Sequence, residues 1–197
     1  MKRKTLALCL SGLLIFAGCG QGAEDGINHQ EERKEMVTSE SGSEPAQPSD
    51  DSHFKIEVPE GWVEIDNPKL GTDWKKGYDN SASNPSVRLK FNDNYGDNSN
   101  VRVVSAKLFG QANFGDSYGK DVTVERREFD HKFDGADESE ITVFNYTSGK
   151  GSKMRGCWWV LRNADTLAVA VVEVHGLRSE VSDSFLNQIQ QSISFDG

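Results

Sequence analysis

The chain has 197 residues, 36% hydrophobic and 27% charged, with a formal net charge of −9, which leaves room for one globular domain and little more. The acidic balance excludes nucleic-acid or anionic-lipid recognition through a broad basic field, and three cysteines are too few for a disulfide framework. The chain opens with Lys2, Arg3 and Lys4, an apolar run from Leu6 to Ala17, and then Gly18-Cys19. These are the parts of a secretory signal peptide. The apolar run is 12 residues long, short of the roughly 20 that a membrane-spanning helix needs, so residues 1–18 are expected to be a cleaved leader.

Phe16-Ala17-Gly18-Cys19 resembles the lipobox of bacterial lipoproteins, with Phe16 where leucine is usual. The resemblance implies cleavage between Gly18 and Cys19 and acylation of the Cys19 thiol, with palmitate among the chains, anchoring the protein to a membrane. Each buried CH₂ contributes about 0.8 kcal/mol, so two or three chains hold stably where one is marginal. Cys9 leaves with the leader, and Cys157 remains as the free thiol. Flanked by Gly156 and Trp158, with no Cys or His beside it, Cys157 reads as a buried structural cysteine.

Residues 19–53 follow as a tether. From Gly20 to His53 there are nine acidic and two basic side chains, five apolar residues and no aromatic one. Such a segment buries too little apolar surface to offset its ordering entropy and is expected to be disordered and extended by its own charge. Residues 54–197 carry 17 of the 18 aromatics, with 17 basic and 22 acidic side chains. This is the domain.

Period-two alternation dominates it. Phe54-Lys55-Ile56-Glu57-Val58 and Trp62-Val63-Glu64-Ile65 read as strands around a Pro59-Glu60-Gly61 turn. Val87, Leu89 and Phe91 mark another, and the polar run Asn92 to Asn100 leads to a strand-like Val101-Arg102-Val103-Val104. Strands are expected at 122–129, 141–146, 154–161 and 166–174. The last two are apolar on both faces, as central strands are, and a short Asn163-Ala164-Asp165 turn makes them antiparallel. Phe109 to Lys120 holds Gly110, Gly115 and Gly119 and reads as a loop with at most one helical turn. Val181, Phe185, Ile189 and Ile193 recur every four residues, predicting a C-terminal amphipathic helix capped by Ser179 or Ser182.

The Phe54-x-Ile-x-Val-Pro-x-Gly-Trp62 opening, the long antiparallel meander and a closing helix running into Ser192-Ile193-Ser194-Phe195 resemble the PsbP-like fold, that of an oxygen-evolving complex subunit and many bacterial lipoproteins. The expected fold is therefore α+β: an antiparallel sheet meander with a C-terminal helix packed on it. No central helix between Val104 and Val122 is expected, a departure from that group. The resemblance implies binding or assembly roles more than catalysis.

No strong catalytic or metal signature emerges, and neither catalytic residues, a metal site nor a cofactor is assigned. His53, His131 and His175 stand apart in sequence without metal-ligand spacing. Asn92 to Asn100 offers oxygen donors, Asp93 and Asp97 among them, but does not fit an EF-hand loop and reads first as a turn. Asp134 to Glu140 reads as an acidic turn, and Ser148 to Lys153 as a flexible hairpin. Arg126, Arg127, Lys132, Lys150, Lys153 and Arg155 fall on neighbouring strands and loops, where a local basic patch is one reading and a solvated face the default. The expectation is a lipid-anchored extracytoplasmic module at the cell membrane that binds an envelope protein or ligand without catalysis. An envelope hydrolase assembled around His131 or His175, or a calcium-binding sensor, is the alternative.

Overall fold

The computed structural model describes residues 54–66, 69–95, 100–115 and 118–195. Gly18, Cys19, the acidic segment and His53 lie outside the described residues, as does the 96–99 part of the oxygen-rich loop.

Among the described residues, nine strands and two helices run in the order β1 (Phe54–Lys55), β2 (Val63–Glu64), β3 (Lys76–Asp79), β4 (Val87–Asn92), α1 (Val101–Phe114), β5 (Lys120–Phe129), β6 (Glu138–Thr147), β7 (Lys153–Arg162), β8 (Val169–Leu177), α2 (Asp183–Gln191) and β9 (Ser194–Phe195). Seven strands form one antiparallel sheet in the order β2-β3-β4-β8-β7-β6-β5. It is two meanders joined along a seam where β4 pairs with β8. α1 carries the chain from β4 across one face to the far edge. β1 and β9 make a separate two-stranded ribbon.

The fold is α+β as the alternation predicts, with β7 and β8 in the sheet centre. Strand 166–174 starts later, at Val169, because the β7–β8 turn is longer than Asn163-Ala164-Asp165 and closes where the Asn163 N–H donates to the Ala168 carbonyl at 3.1 Å. Phe54 to Val58 and Trp62 to Ile65 contribute only two paired residues each, and to different sheets. Gly61, at φ 82°, turns the chain there, and Trp62 stacks on Phe185 with centroids 6.0 Å apart.

Alternation along the strands gives each face its own core. One face carries Leu89, Val143, Cys157, Trp159, Val172 and Val174, and is sealed by Leu186 and Ile189 of α2 and by Phe54 and Phe195 of the ribbon. The Ser182 side chain accepts from the Phe185 N–H, capping α2 at 3.2 Å. Cys157 is buried and free, and burial pushes its thiol well up. The other face carries Phe144, Trp158, Val160 and Val171, covered by α1.

α1 is the main correction. Neither the strand expected at Val101 to Val104 nor the loop expected from Phe109 exists, because Asn100 starts a helix by accepting from the Val103 N–H at 2.9 Å. Val101, Val104, Ser105, Leu108 and Ala112 then form its buried stripe, a helical spacing that Val103 and the glycines obscure. Gly110 is tolerated because nothing lies within 4 Å of where its Cβ would stand; its cost is the ~1 kcal/mol of a glycine inside a helix. If α1 is a packed layer, Leu108→Ala will cost about 2–5 kcal/mol and Asn100→Ala about 1 kcal/mol in urea unfolding. A near-neutral Leu108→Ala would return the segment to a loop.

Candidate functional site

The sheet register lines up residues on the α1 face in rows. One row runs Lys90, Glu173, Trp158, Thr142 and Arg127; the next runs Arg88, His175, Gly156, Phe144 and Val124. Glu173 and His175 therefore stand in the middle of an apolar sheet.

Glu173 is 1% exposed and is held by three side chains. The Lys90 ammonium lies 2.8 Å from its Oε1 and 4.3 Å from the Trp74 ring centroid. The Trp158 indole N–H donates to Oε2 at 3.0 Å, and the Tyr118 hydroxyl donates to the same oxygen. Burial by itself raises a carboxyl, but Lys90, together with the other donors, outweighs it and holds Glu173 down to about 2. Tyr118 reaches the sheet from the connection after α1, its ring edge-on to Phe144, Tyr146, Trp158 and His175. Burial and the Glu173 charge push its hydroxyl well above its ordinary value, so it remains a donor.

His175 is neutral at pH 7, since burial pushes it down to about 4 against the pull of Glu173. A hydrogen bond of 3.0 Å joins the Tyr146 hydroxyl and His175 Nδ1, and Nε2 lies 3.9 Å from Glu173 Oε1. A histidine beside a carboxylate is what a hydrolase reading asks for. The depression at His175, shared with Asp79 and Met154, is only about 160 Å³, against the roughly 300–1,000 Å³ of ligand sites. Asp79 is also spent there, clasped by Arg88 at 2.8 and 2.9 Å. His131, the other candidate, accepts from the Gln190 side-chain N–H and donates to Glu128, both within 2.9 Å, at the far face of the sheet.

The larger opening lies elsewhere. A cleft of about 850 Å³ separates α1 from β5, lined by Ala106 and Phe109 on the helix and by Val124, Arg127 and Phe129 on the strand. Arg127 is drawn down to the buried Glu140 at 3.2 Å, and Arg102 lies over the Phe129 ring, 5.8 Å from its centroid. Ser105 also lines the cleft, and its buried Oγ has no hydrogen-bond partner among the described residues.

The remaining expected features resolve into ordinary contacts. The basic patch is divided: Arg155 bonds Glu125, Asp183 and the Val181 carbonyl, Arg127 bonds Glu140, and the Lys153 ammonium donates to Thr147. Asp93 of the oxygen-rich loop pairs with Lys75 at 2.7 Å. In the Asp134 to Glu140 turn, Asp137 pairs with Arg162 and Glu140 is not loop but buried strand. No group of three or more metal-ligating side chains occurs among the described residues. No helix among them is long and apolar enough to cross a membrane. Sequence reading missed Glu173, although a single carboxylate inside the Leu167-Ala168-Val169-Ala170-Val171-Val172-Glu173-Val174 run was its signal.

This architecture matches the solution structure of cyanobacterial PsbP from Synechocystis sp. PCC 6803, with a TM-score of 0.51 and 11% identity over 81% of this chain and 98% of that one. The fold is PsbP-like. The Saccharomyces cerevisiae Ran-binding protein Mog1p aligns less well, with a TM-score of 0.43 and 8% identity over 73% of this chain and 90% of that one. No protein-family model matches the chain, and no curated protein does.

Acid is expected to loosen this PsbP-like domain in two stages. His175 and Glu173 both take protons more readily when unfolded, near 6.5 and 4.5, than when folded, near about 4 and about 2. Their contribution is complete above pH 6.5, falls first as His175 is forced to charge between 6.5 and 4, and falls again between 4.5 and 2 as Glu173 protonates. The first stage is worth roughly 3 kcal/mol. Urea unfolding from pH 7 to 4 should show it, and His175→Gln should flatten that span. An unchanged slope in the variant would sink the assignment.

Proposed function

We propose that the chain is a bacterial lipoprotein, anchored through acylated Cys19 on the extracytoplasmic face of the cell membrane, whose domain is a non-enzymatic binding or accessory module for an envelope protein or ligand. The leader, the Ala17-Gly18-Cys19 signature and the acidic 19–53 segment support the anchoring. An anchored domain on an extended arm samples a small volume near the membrane at high effective concentration, which suits capture of a neighbour.

The observation that carries the binding reading is the open cleft between α1 and β5. It has the volume of a recognition site and an apolar lining, whereas Glu173 is taken by Lys90, Trp158 and Tyr118 and His175 by Tyr146. The hydrolase reading rests on His175 and has no comparable space.

Two measurements check the two halves. Cys19→Ser should move the protein from the membrane fraction to the soluble one. Cross-linking of the intact protein in its own cells, followed by mass spectrometry, should join residues of the domain to one dominant partner or to wall or lipid fragments. A Cys19→Ser variant that stays with the membrane counts against the anchor, and an absence of any enriched adduct counts against the module.

A further inference from the structure

β5 ends the seven-stranded sheet, so one side of its backbone has no strand beyond it among the described residues. Its side chains are exposed from end to end, apart from partly covered Val122. An open edge of this kind is a ready template for another extended chain. The edge is guarded along most of its length: register shifts fall between Lys120 and Thr123 and between Val124 and Arg126, and Asp130 follows at φ 57°. Arg126 to Phe129 alone stay in unbroken register with β6. That window of four residues opens directly on the 850 Å³ cleft through Arg127 and Phe129.

Three further features of the edge select its occupant. Phe129 and Val124 are 48% and 39% exposed, unusually open for side chains of their size, and they form one wall of the cleft with Phe109 opposite. Ser105 brings a buried, unpartnered Oγ to the same space. Arg126, opposite Val143 on the far face of the window, has no carboxylate within ion-pair distance among the described residues, although its charge reaches Asp183, and the domain around it carries a net −5. An exposed guanidinium group with no directly bonded carboxylate selects one.

Building on the binding reading above, we infer that β5 takes up an extended acidic segment of a partner protein as an eighth strand. The segment pairs with the backbone of Arg126 to Phe129. Alternate apolar side chains enter the cleft against Phe109 and Phe129, and the intervening carboxylates, on the opposite face, meet Arg126. Backbone pairing supplies affinity and the cleft supplies specificity, since side chains on a strand alternate between faces.

The test uses the purified full chain and a fluorescein-labelled heptapeptide, Val-Glu-Val-Glu-Phe-Glu-Val, with the same peptide carrying Lys for Glu as control. Anisotropy should show saturable binding of the acidic peptide at least tenfold tighter than the control. Arg126→Glu, at an exposed position, should weaken it at least tenfold, and amide exchange should slow at 126–129 and not in α2. The inference is overturned by no saturable binding, by equal binding of both peptides, or by binding indifferent to the arginine change. It is also overturned if sedimentation shows a dimer that excludes the peptide. The in-cell cross-links separate the two proposals: adducts mapped only to α2 or the β1–β9 ribbon remove this docking edge and leave the binding module standing, whereas no adducts remove the module itself.

Discussion

The ion pair between Lys90 and Glu173 spans the one junction of the sheet that consecutive strands do not make. β2 to β4 and β5 to β8 are each local meanders, and only the β4–β8 pairing joins them. At that seam Lys90 and Glu173 are direct register partners with their charges 2.8 Å apart. A slip of one residue turns every side chain of a strand to the opposite face. Such a slip here leaves a fully buried carboxylate without its cation, at a cost of several kcal/mol. A hydrophobic pair could hold two strands together as firmly, but it tolerates displacement far better than a charge does. The buried pair thus fixes which residues of the two meanders meet, and with them the rows that place His175, Phe144 and Val124.

The same carboxylate organises the layer above it. Oε2 takes hydrogen bonds from Trp158 of β7 and from Tyr118, which belongs to neither helix nor strand. Tyr118 therefore pins the exit of α1 to the sheet centre, and the four rings around it fix its angle. At its start, α1 is set by Asn100; near its end, Gln111 bonds Tyr95 and Asp73. The helix so placed covers β6 and β7 and stops short of closing over β5. The cleft is the gap left between α1 and β5 beside the contact that Arg102 makes with the Phe129 ring.

Much of this was legible from alternation. Strands β4 to β8, their antiparallel order in the last hairpins and the α2 face of the sheet all follow from apolar residues at period two or four. The helix α1 was not, because Val101-Arg102-Val103-Val104 satisfies a strand pattern as well as a helical one, and Gly110, Gly115 and Gly119 interrupt the stretch after it. Deciding between them required Asn100, whose capping oxygen is visible in sequence only as one more polar loop residue. β3 was missed for a related reason: Lys76-Gly77-Tyr78-Asp79 has no apolar alternation, and it pairs because β4 offers an edge. The cleft was beyond sequence reading altogether. Its walls come from residues 102–109 and 124–129, whose proximity depends on the crossover of α1.

The two faces of the sheet differ in what they leave for recognition. On the α2 face, Arg155 binds Glu125 of β5, the first turn of α2 and the Val181 carbonyl together, while the Trp159 N–H and His131 are bridged by Gln190. Asn145 joins this network by donating to Glu125, and its buried Oδ1 alone is left without a partner among the described residues of that network. On the α1 face, the partners of Arg127 and Tyr118 lie inward, at Glu140 and Glu173, so the polar groups are drawn into the sheet and away from the edge. Beside Arg102, what remains at the cleft is apolar: Phe129 and Val124 of β5 and Phe109 of α1. Exposed apolar side chains gathered at one place on a small acidic domain are a cost to solubility that monomeric surfaces usually avoid. Their place beside β5 follows from polar groups of the α1 face being drawn into the core. It makes that edge the place where the domain has most to gain from contact with another chain.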